Sequence, residues 1–390
     1  MPHLLDATMF WTPTGAGGVH QVITTKRAHL VAAGWQHSLL APGACEVGEI
    51  DCGGLPLPAS GGYRFVVDRA RAARLIERQR PDIVEAADPY TLGWSVRDAC
   101  TRLGVPAVAF CHSDLPGLVQ HWSGGAQSRT AGWLGRRAGA YLARLYAGYQ
   151  LVLAPSRAMT RQLQELGVAQ AVYQPLGVDS KVFTPAARDP AWRRWLEARL
   201  GLTPGTHLLI YAGRFASEKK LDVLVQAVER LGPRHCLIAV GTGPRPPRGA
   251  RVRVLPPELD RRRLARLLAS ADAFVHAGEQ ETFGLAALEA MACGVPVVVS
   301  ASGGLGELAD GVGITVSSPR PLDWAAAISA CLHDGDSRLP RAALARAHSF
   351  DWGRVLDLWA LRYRAAMRGQ ALADADAGAE RSQAPQPSAR

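Results

Sequence analysis

Apolar runs of strand length alternate with amphipathic helical patterns along almost the whole chain, and this alternation restricts the fold more than any other feature. A strand followed by a helix and another strand returns the chain in its original direction. Successive strands then pair in parallel and the helices cover the sheet faces. In the first half the strand-like runs are residues 4–10, 37–41, 82–86, 105–110 and 150–154. A helical pattern spans residues 20–33 and stops at Gly34, a residue suited to the turn that ends a helix. Another spans 92–103, and Ser156 caps a third. The stretch from Leu176 to Pro185 breaks the pattern, and residues 186–200 read as a polar helix outside the sheets. A second series follows, with strands at 207–212, 236–240, 273–276, 295–299 and 314–316, and helices at 221–231, 324–332 and 352–366. The chain is therefore expected to be an α/β protein of two doubly wound, Rossmann-like domains facing each other across a cleft, at residues 1–184 and 185–350. Residues 351–370 read as a terminal helix, and 371–390, rich in Ala, Asp, Ser and Pro, as a disordered tail. In open sheets of this kind ligands bind beyond the carboxyl ends of the strands, which makes the cleft the expected site.

Composition narrows the ligand. The 390 residues carry a formal charge of +10, mostly from arginine. That surplus attracts nucleotides, phosphorylated substrates or anionic lipid headgroups. No nucleic-acid reading motif accompanies the arginines, so nucleic acid is not an expected partner. The seven cysteines form no C-x-x-C pair and lie in apolar surroundings, which suits reduced, buried thiols. The N-terminus has no basic patch ahead of an apolar run, and no apolar run approaches the roughly 18 residues needed to cross a bilayer. A cytoplasmic protein is expected.

Two segments carry groups suited to a phosphate-bearing, polyhydroxy ligand. In Glu281-Thr282-Phe283-Gly284-Leu285 a glycine precedes a helix, whose first backbone N–H groups can point at an anion. Glu281 stands at the mouth and Glu289 lies eight residues on, slightly more than two turns along the helix. Two carboxylates beside a diphosphate repel it unless they address hydroxyls, so they read as sugar and ribose ligands. An N-terminal glutamate and a solvent-facing one is the plainer alternative. One segment earlier, Gly213-Arg214 ends a strand and Lys219 opens the next helix. A planar guanidinium and a point charge at this spacing can bracket a diphosphate; a surface salt bridge of Arg214 to Glu218 is the alternative.

The first half contributes Thr14-Gly15-Ala16-Gly17-Gly18, a glycine loop without the full G-x-G-x-x-G period. His112 and Asp114 follow a strand directly. His112 can donate to a sugar hydroxyl or simply cap its loop; Asp114 sits where an acceptor could lie. No H-E-x-x-H or similar cluster supports a metal, and no G-x-S-x-G elbow supports a serine hydrolase.

Taken in order, Gly17-Gly18, His112, Pro155-Ser156, Gly177-Val178-Asp179 with Phe183-Thr184-Pro185, Gly213-Arg214 with Glu218-Lys219, Gly241-Thr242-Gly243 and the E-x7-E frame from Glu281 to Glu289 resemble the retaining glycosyltransferases of the GT-B fold, family 4. The resemblance implies an NDP-sugar donor bound mainly by the second domain, no cofactor and no metal. It implies that Arg214 and Lys219 neutralise the departing diphosphate. Glu281 and the backbone of Phe283, Gly284 and Leu285 would hold the donor sugar, and Glu289 the ribose. His112 would contact the sugar from the first domain, with Gly17 and Gly18 lining the phosphates or acceptor. The last helix would cross back onto the first domain.

Three departures stand out: Ala277-Gly278 after the Phe274-Val275-His276 strand, an arginine- and proline-rich stretch at 244–251, and Lys220 in place of a frequent glycine. GDP-mannose is preferred over UDP-glucose as donor, and a glycan or lipid-linked sugar is the expected acceptor. Residues 121–149, basic and aromatic, read either as a helix pair on the inner face of an anionic membrane or as ordinary helices with a solvated face. A GT-B sugar phosphorylase or synthase, a nicotinamide-dependent oxidoreductase and a non-catalytic nucleotide-sugar binder are the rival readings.

Overall fold

The structure, a computed structural model, describes residues 1–12, 17–44, 46–57, 60, 62–125, 128–333 and 338–370. Thr14, Gly15 and Ala16 of the glycine loop, Cys45 and the tail at 371–390 lie outside the described residues.

Fifteen strands form three sheets among these residues. They are β1 (His3–Ala7), β2 (Gln36–Ala41), β3 (Glu49–Asp51), β4 (Leu55–Pro56), β5 (Arg64–Phe65), β6 (Ile83–Ala86), β7 (Ala107–Phe110), β8 (Leu151–Ala154), β9 (Ala171–Tyr173), β10 (His207–Ala212), β11 (His235–Val240), β12 (Val252–Leu255), β13 (Ala273–His276), β14 (Val297–Ser300) and β15 (Ile314–Val316). The first sheet runs β3-β2-β1-β6-β7-β8-β9 and the second β12-β11-β10-β13-β14-β15, parallel throughout. Both are doubly wound: the chain works outward from one central strand, returns and continues on the other side. The reversal opens a crevice between β1 and β6 in one domain and between β10 and β13 in the other. Every residue of β1, β6, β7, β8, β13 and β14 is buried, as parallel strands covered on both faces require.

Local chemistry sets the element ends. The apolar run at 4–10 stops being a strand at Ala7, because the buried Asp88 takes the Met9 N–H at 2.7 Å. The polar helix at 186–200 is two pieces, a turn at Pro185–Ala187 and a helix at Pro190–Arg199. Asp189 accepts from two amides there and Pro190 opens the helix, so helix begins late. The β4–β5 hairpin carries no clear signal in the sequence, each strand being only two residues long.

The chain passes between the domains twice, and the two crossings pair. The Val178 N–H donates to Phe350 O at 2.8 Å and Trp352 N–H to Val178 O at 3.1 Å. Gly177 makes this possible, since a Cβ there would lie 2.7 Å from the Trp352 ring. The helix Trp352–Met367 then lies on the first domain, over a buried cluster of charge. Lys26 Nζ meets Asp6 Oδ1 at 2.7 Å and also pairs with Glu85, while Asp6 Oδ2 holds His37 at 2.8 Å. Glu85 Oε2 accepts from Trp359 Nε1 at 3.1 Å and from the Tyr363 hydroxyl at 2.6 Å.

Candidate active site

The site is built from loops leaving the two sheet crevices. Arg214 and Lys219 follow β10, and Glu281 to Leu285 follow β13, so both groups stand at the reversal point of the second sheet. Gly17 and Gly18 come after β1, and His112 after β7, on the opposite wall.

Two helix N-termini converge here. Gly284 precedes the helix Leu285–Ala292 and Gly17 precedes Gly18–Ala32; neither end carries a side-chain cap. Asp68, Asp114, Ser128, Ser156, Asp189, Asp260 and Asp351 cap their helices, while the helices that follow Tyr90, Lys220, Ser302 and Arg320 begin, like these two, without a side-chain cap. Gly284 has φ 102 and Gly17 φ 116, the left-handed region that favours glycine. A Cβ on Gly18 would lie 3.4 Å from Leu285 Cδ1, so the two ends approach closely. Uncapped amides and aligned peptide dipoles from both domains thus face one volume, an arrangement suited to an anion.

The charged side chains are paired in this structure. Lys219 forms an ion pair with Glu281 Oε1, and His276 Nε2 lies 3.2 Å from the same oxygen. Burial pushes the Glu281 carboxyl up, but the ammonium of Lys219 and the His276 hydrogen bond outweigh it and hold the group well below the usual carboxylate range. Glu281 is therefore ionised. Arg214 Nη2 donates to the buried Glu218 Oε1 at 2.8 Å, the salt bridge considered from spacing, yet its guanidinium remains half exposed. Burial pushes the phenols of Tyr63 and Tyr90 up, and the charge of Arg214 acts against that shift in both. Lys220 adopts φ 49, which explains why a glycine suits this position, and pairs with Glu279 at 2.5 Å.

The remaining predicted residues divide. His112 lies at the domain junction: its carbonyl accepts from Thr282 Oγ1 at 3.1 Å. Burial, with Lys26 nearby, pushes its imidazole down to about 3, so the ring is neutral. Gly213 follows β10 with its N–H on Val240 O at 3.0 Å, and Phe283 is buried against Phe350. Asp114 caps the helix Leu115–Trp122 through Gly117 N at 3.0 Å and accepts from Gln162 at 2.9 Å, so its carboxylate is engaged by the fold. Glu289 is buried and bound to Arg261 Nη2 at 2.5 Å, rather than standing free on a helix face. Burial pushes its carboxyl up and Arg261 pulls it back.

Sequence reasoning missed His276, Tyr63, Tyr90, Arg261 and Glu307. Glu307 accepts from Arg157 N at 3.0 Å and Ala158 N at 2.9 Å across the domain junction. The cluster Gly303-Gly304 preceding it was a usable signal, because Gly304 N donates to Glu281 O at 2.9 Å and a Cβ there would lie 2.0 Å from Thr282 O. His276 and Arg261 carried none, since each acts through a partner distant in sequence.

Two doubly wound domains facing each other across a crevice are the architecture of the GT-B fold. Residues 16–182 match the family described as Glycosyltransferase Family 4, and residues 206–334 that described as Glycosyl transferases group 1. A GDP-mannose-dependent alpha-(1-6)-phosphatidylinositol dimannoside mannosyltransferase of Mycobacterium tuberculosis is 32% identical over 376 residues, 90% of this chain and 93% of that one. A GDP-mannose-dependent alpha-mannosyltransferase of Mycolicibacterium smegmatis is 34% identical over 243 residues, 61% of this chain and 60% of that one. A sucrose-phosphate synthase of Thermosynechococcus elongatus shares the fold, with a TM-score of 0.77 at 20% identity over 95% of this chain and 100% of that one. The chain belongs to the family 4 glycosyltransferases of the GT-B fold: it is an enzyme that transfers a sugar from an NDP-sugar donor to an acceptor.

Proposed function

We propose that this enzyme moves mannose from GDP-mannose, in preference to glucose from UDP-glucose, to a hydroxyl of a glycan or lipid-linked acceptor, with retention at the anomeric carbon and without a metal. The observation that carries the reading is the meeting of two uncapped helix ends with Lys219, Glu281 and Arg214 in one crevice. The names of the relatives favour the guanine nucleotide and a lipid-linked acceptor.

In this reading the diphosphate takes the place of Glu281 as the partner of Lys219. Arg214 turns its exposed edge to the same phosphates while Glu218 fixes its other side. The anomeric C–O bond breaks and its electron pair goes to the diphosphate oxygen. The acceptor oxygen bonds to the anomeric carbon from the face the diphosphate leaves, and its proton passes to a departing phosphate oxygen. Cations and amides aimed at that oxygen gain most in the transition state, where its charge is largest. Glu281, freed from Lys219, accepts from sugar hydroxyls. Glu289 serves the ribose only if Arg261 yields or bridges, and neutral His112 donates to the sugar from the opposite wall. Glu281→Ala is expected to lower kcat/KM by about 10²–10³, in proportion to one lost transition-state contact of roughly 3 kcal/mol. Lys219→Ala is expected to weaken GDP binding measured by calorimetry. Unchanged values for both remove the site assignment, and an inverted product anomer in NMR removes retention.

The acceptor reading extends to a peripheral membrane contact. The helix Arg129–Tyr146 has no acidic residue, and Arg129, Trp133, Arg136, Arg137 and Arg144 all lie exposed on it. Trp122, on the preceding helix, is also exposed. Arginine with interfacial tryptophan suits an anionic lipid surface. No described helix is long and apolar enough to cross a membrane. Co-sedimentation with phosphatidylglycerol vesicles, weakened by salt and by Arg136→Glu with Arg137→Glu, tests it; equal sedimentation of wild type and variant refutes it.

A further inference from the structure

Glu281 is anchored from two directions, and the two anchors differ in what becomes of them when donor binds. Lys219 is the group a diphosphate would claim. His276 is not: it is the last residue of β13, buried to 5% exposure, with its ring 5.1 Å from that of Tyr211 and 6.5 Å from that of Phe274. Its two nitrogens have fixed duties. Nδ1 accepts the Gly278 N–H at 3.1 Å, so it carries no proton. The proton is therefore on Nε2, which lies 3.2 Å from Glu281 Oε1. A Cβ at residue 278 would lie 2.7 Å from His276 Cε1 and 3.2 Å from Glu218 O, so the departure at Ala277-Gly278 is what lets the backbone close onto the ring. Glu281 Oε1 holds both donors, while Oε2 has no hydrogen-bond partner among the described residues. One oxygen is engaged and the other is left without a protein partner among the described residues.

We propose that His276 is a positioning residue that fixes the orientation of Glu281 after Lys219 turns to the diphosphate, and through Glu281 sets which hexose epimer the enzyme accepts. This rests on the reading of Glu281 as the sugar ligand. The direction of Oε2 decides which hydroxyl can donate to it, and a carboxylate held by one buried, tautomer-locked donor has little freedom to follow a hydroxyl of the wrong configuration.

The experiment compares His276→Phe, which keeps a ring without a donor, with His276→Gln, whose amide nitrogen can stand where Nε2 stood. Both are assayed with GDP-mannose and GDP-glucose, beside Glu281→Gln and the wild type, and GDP binding is measured alone. His276→Phe is expected to leave GDP affinity unchanged. It should lower kcat/KM for GDP-mannose about 10–100-fold, the size seen when a residue orienting a ligand group is lost. The preference between the two donors should narrow toward equality, and His276→Gln should restore most of it. An unchanged donor ratio in His276→Phe, with GDP binding intact and Glu281→Gln impaired, overturns the role of His276 and leaves that of Glu281 standing. An unimpaired Glu281→Gln overturns the underlying site reading instead. Should the Phe variant not fold, His276→Asn, too short to reach Oε1, replaces it in the same comparison with Gln.

Discussion

Two residues make opposite pH signatures, both arising from burial. The His112 imidazole is held at about 3 against an ordinary 6.5, so below pH 6.5 the unfolded chain takes a proton that the folded one refuses. Its contribution to stability is therefore lost as pH falls from 6.5 toward 3. Asp88 is pushed up to about 6 against 3.8, so the folded state takes the proton first and gains stability as pH falls from 6 toward 3.8. Denaturant midpoints measured from pH 7 to 4 are expected to fall less steeply in His112→Gln than in the wild type. In activity, His112 stays neutral above pH 5 and should produce no acid limb there. At Gly284 the backbone itself is the constraint: a Cβ would lie 2.6 Å from Leu305 Cδ1 at a φ of 102. Gly284→Ala is expected to cost about 1–3 kcal/mol in chemical denaturation and to weaken donor binding in calorimetry. The need for glycine at 284 is readable from its place before a helix, but the pairing of Glu289 with Arg261, 28 residues away, is not. Helical spacing says which way a side chain leaves its helix, not which partner another segment brings.

Among the elements, the helix Trp352–Met367 matters most to how the molecule holds together. It follows the second domain in sequence yet completes the buried polar cluster of the first, where Lys26 is the cation between Asp6 and Glu85. Removing one member of such a cluster leaves buried charge uncompensated. Lys26→Met is expected to lower stability by about 3–5 kcal/mol, read as a drop in thermal midpoint. Paired replacement of Lys26 and Glu85 by Met should recover part of the loss, since it removes the orphaned carboxylate. Lys26 lies on a helix whose pattern from the sequence is merely amphipathic. Nothing local shows that its inner face holds an ammonium, because the two carboxylates that stabilise it come from β1 and β6 and its hydroxyl partner from the last helix.

At the scale of the whole molecule the two domains are joined by the paired crossings at Val178 and Asp351 and clasped by Glu307. Glu307 caps a helix of the opposite domain with both carboxylate oxygens, and the glycines preceding it support the loop that bears Glu281. One segment thereby contacts both the opposite domain and the backbone of Glu281. Glu307→Ala is expected to enlarge the radius of gyration in solution scattering by favouring an open arrangement, and to raise the donor KM more than it lowers kcat. A scattering curve identical to that of the wild type would show that other contacts hold the domains.

The linear order of residues was enough to determine two parallel, doubly wound sheets and the crevice between them, because strand burial, helix periodicity and glycine at tight turns are all short-range in origin, while the ordered motifs from Gly17 to Glu289 carried the resemblance to the family. Lys219, Glu281, Gly284 and His112 were legible as candidates for the same reason: each lies in the segment that links a strand to the next helix, and the carboxyl ends of parallel strands gather on one edge. Only the tertiary structure decided the pairing of Lys219 with Glu281 and of Glu289 with Arg261, the bond of Gln162 to Asp114 and the place of His276 beside Glu281. Each of these joins groups from separate segments, and the energy of a buried ion pair or hydrogen bond depends on what the fold brings within about 3 Å of it.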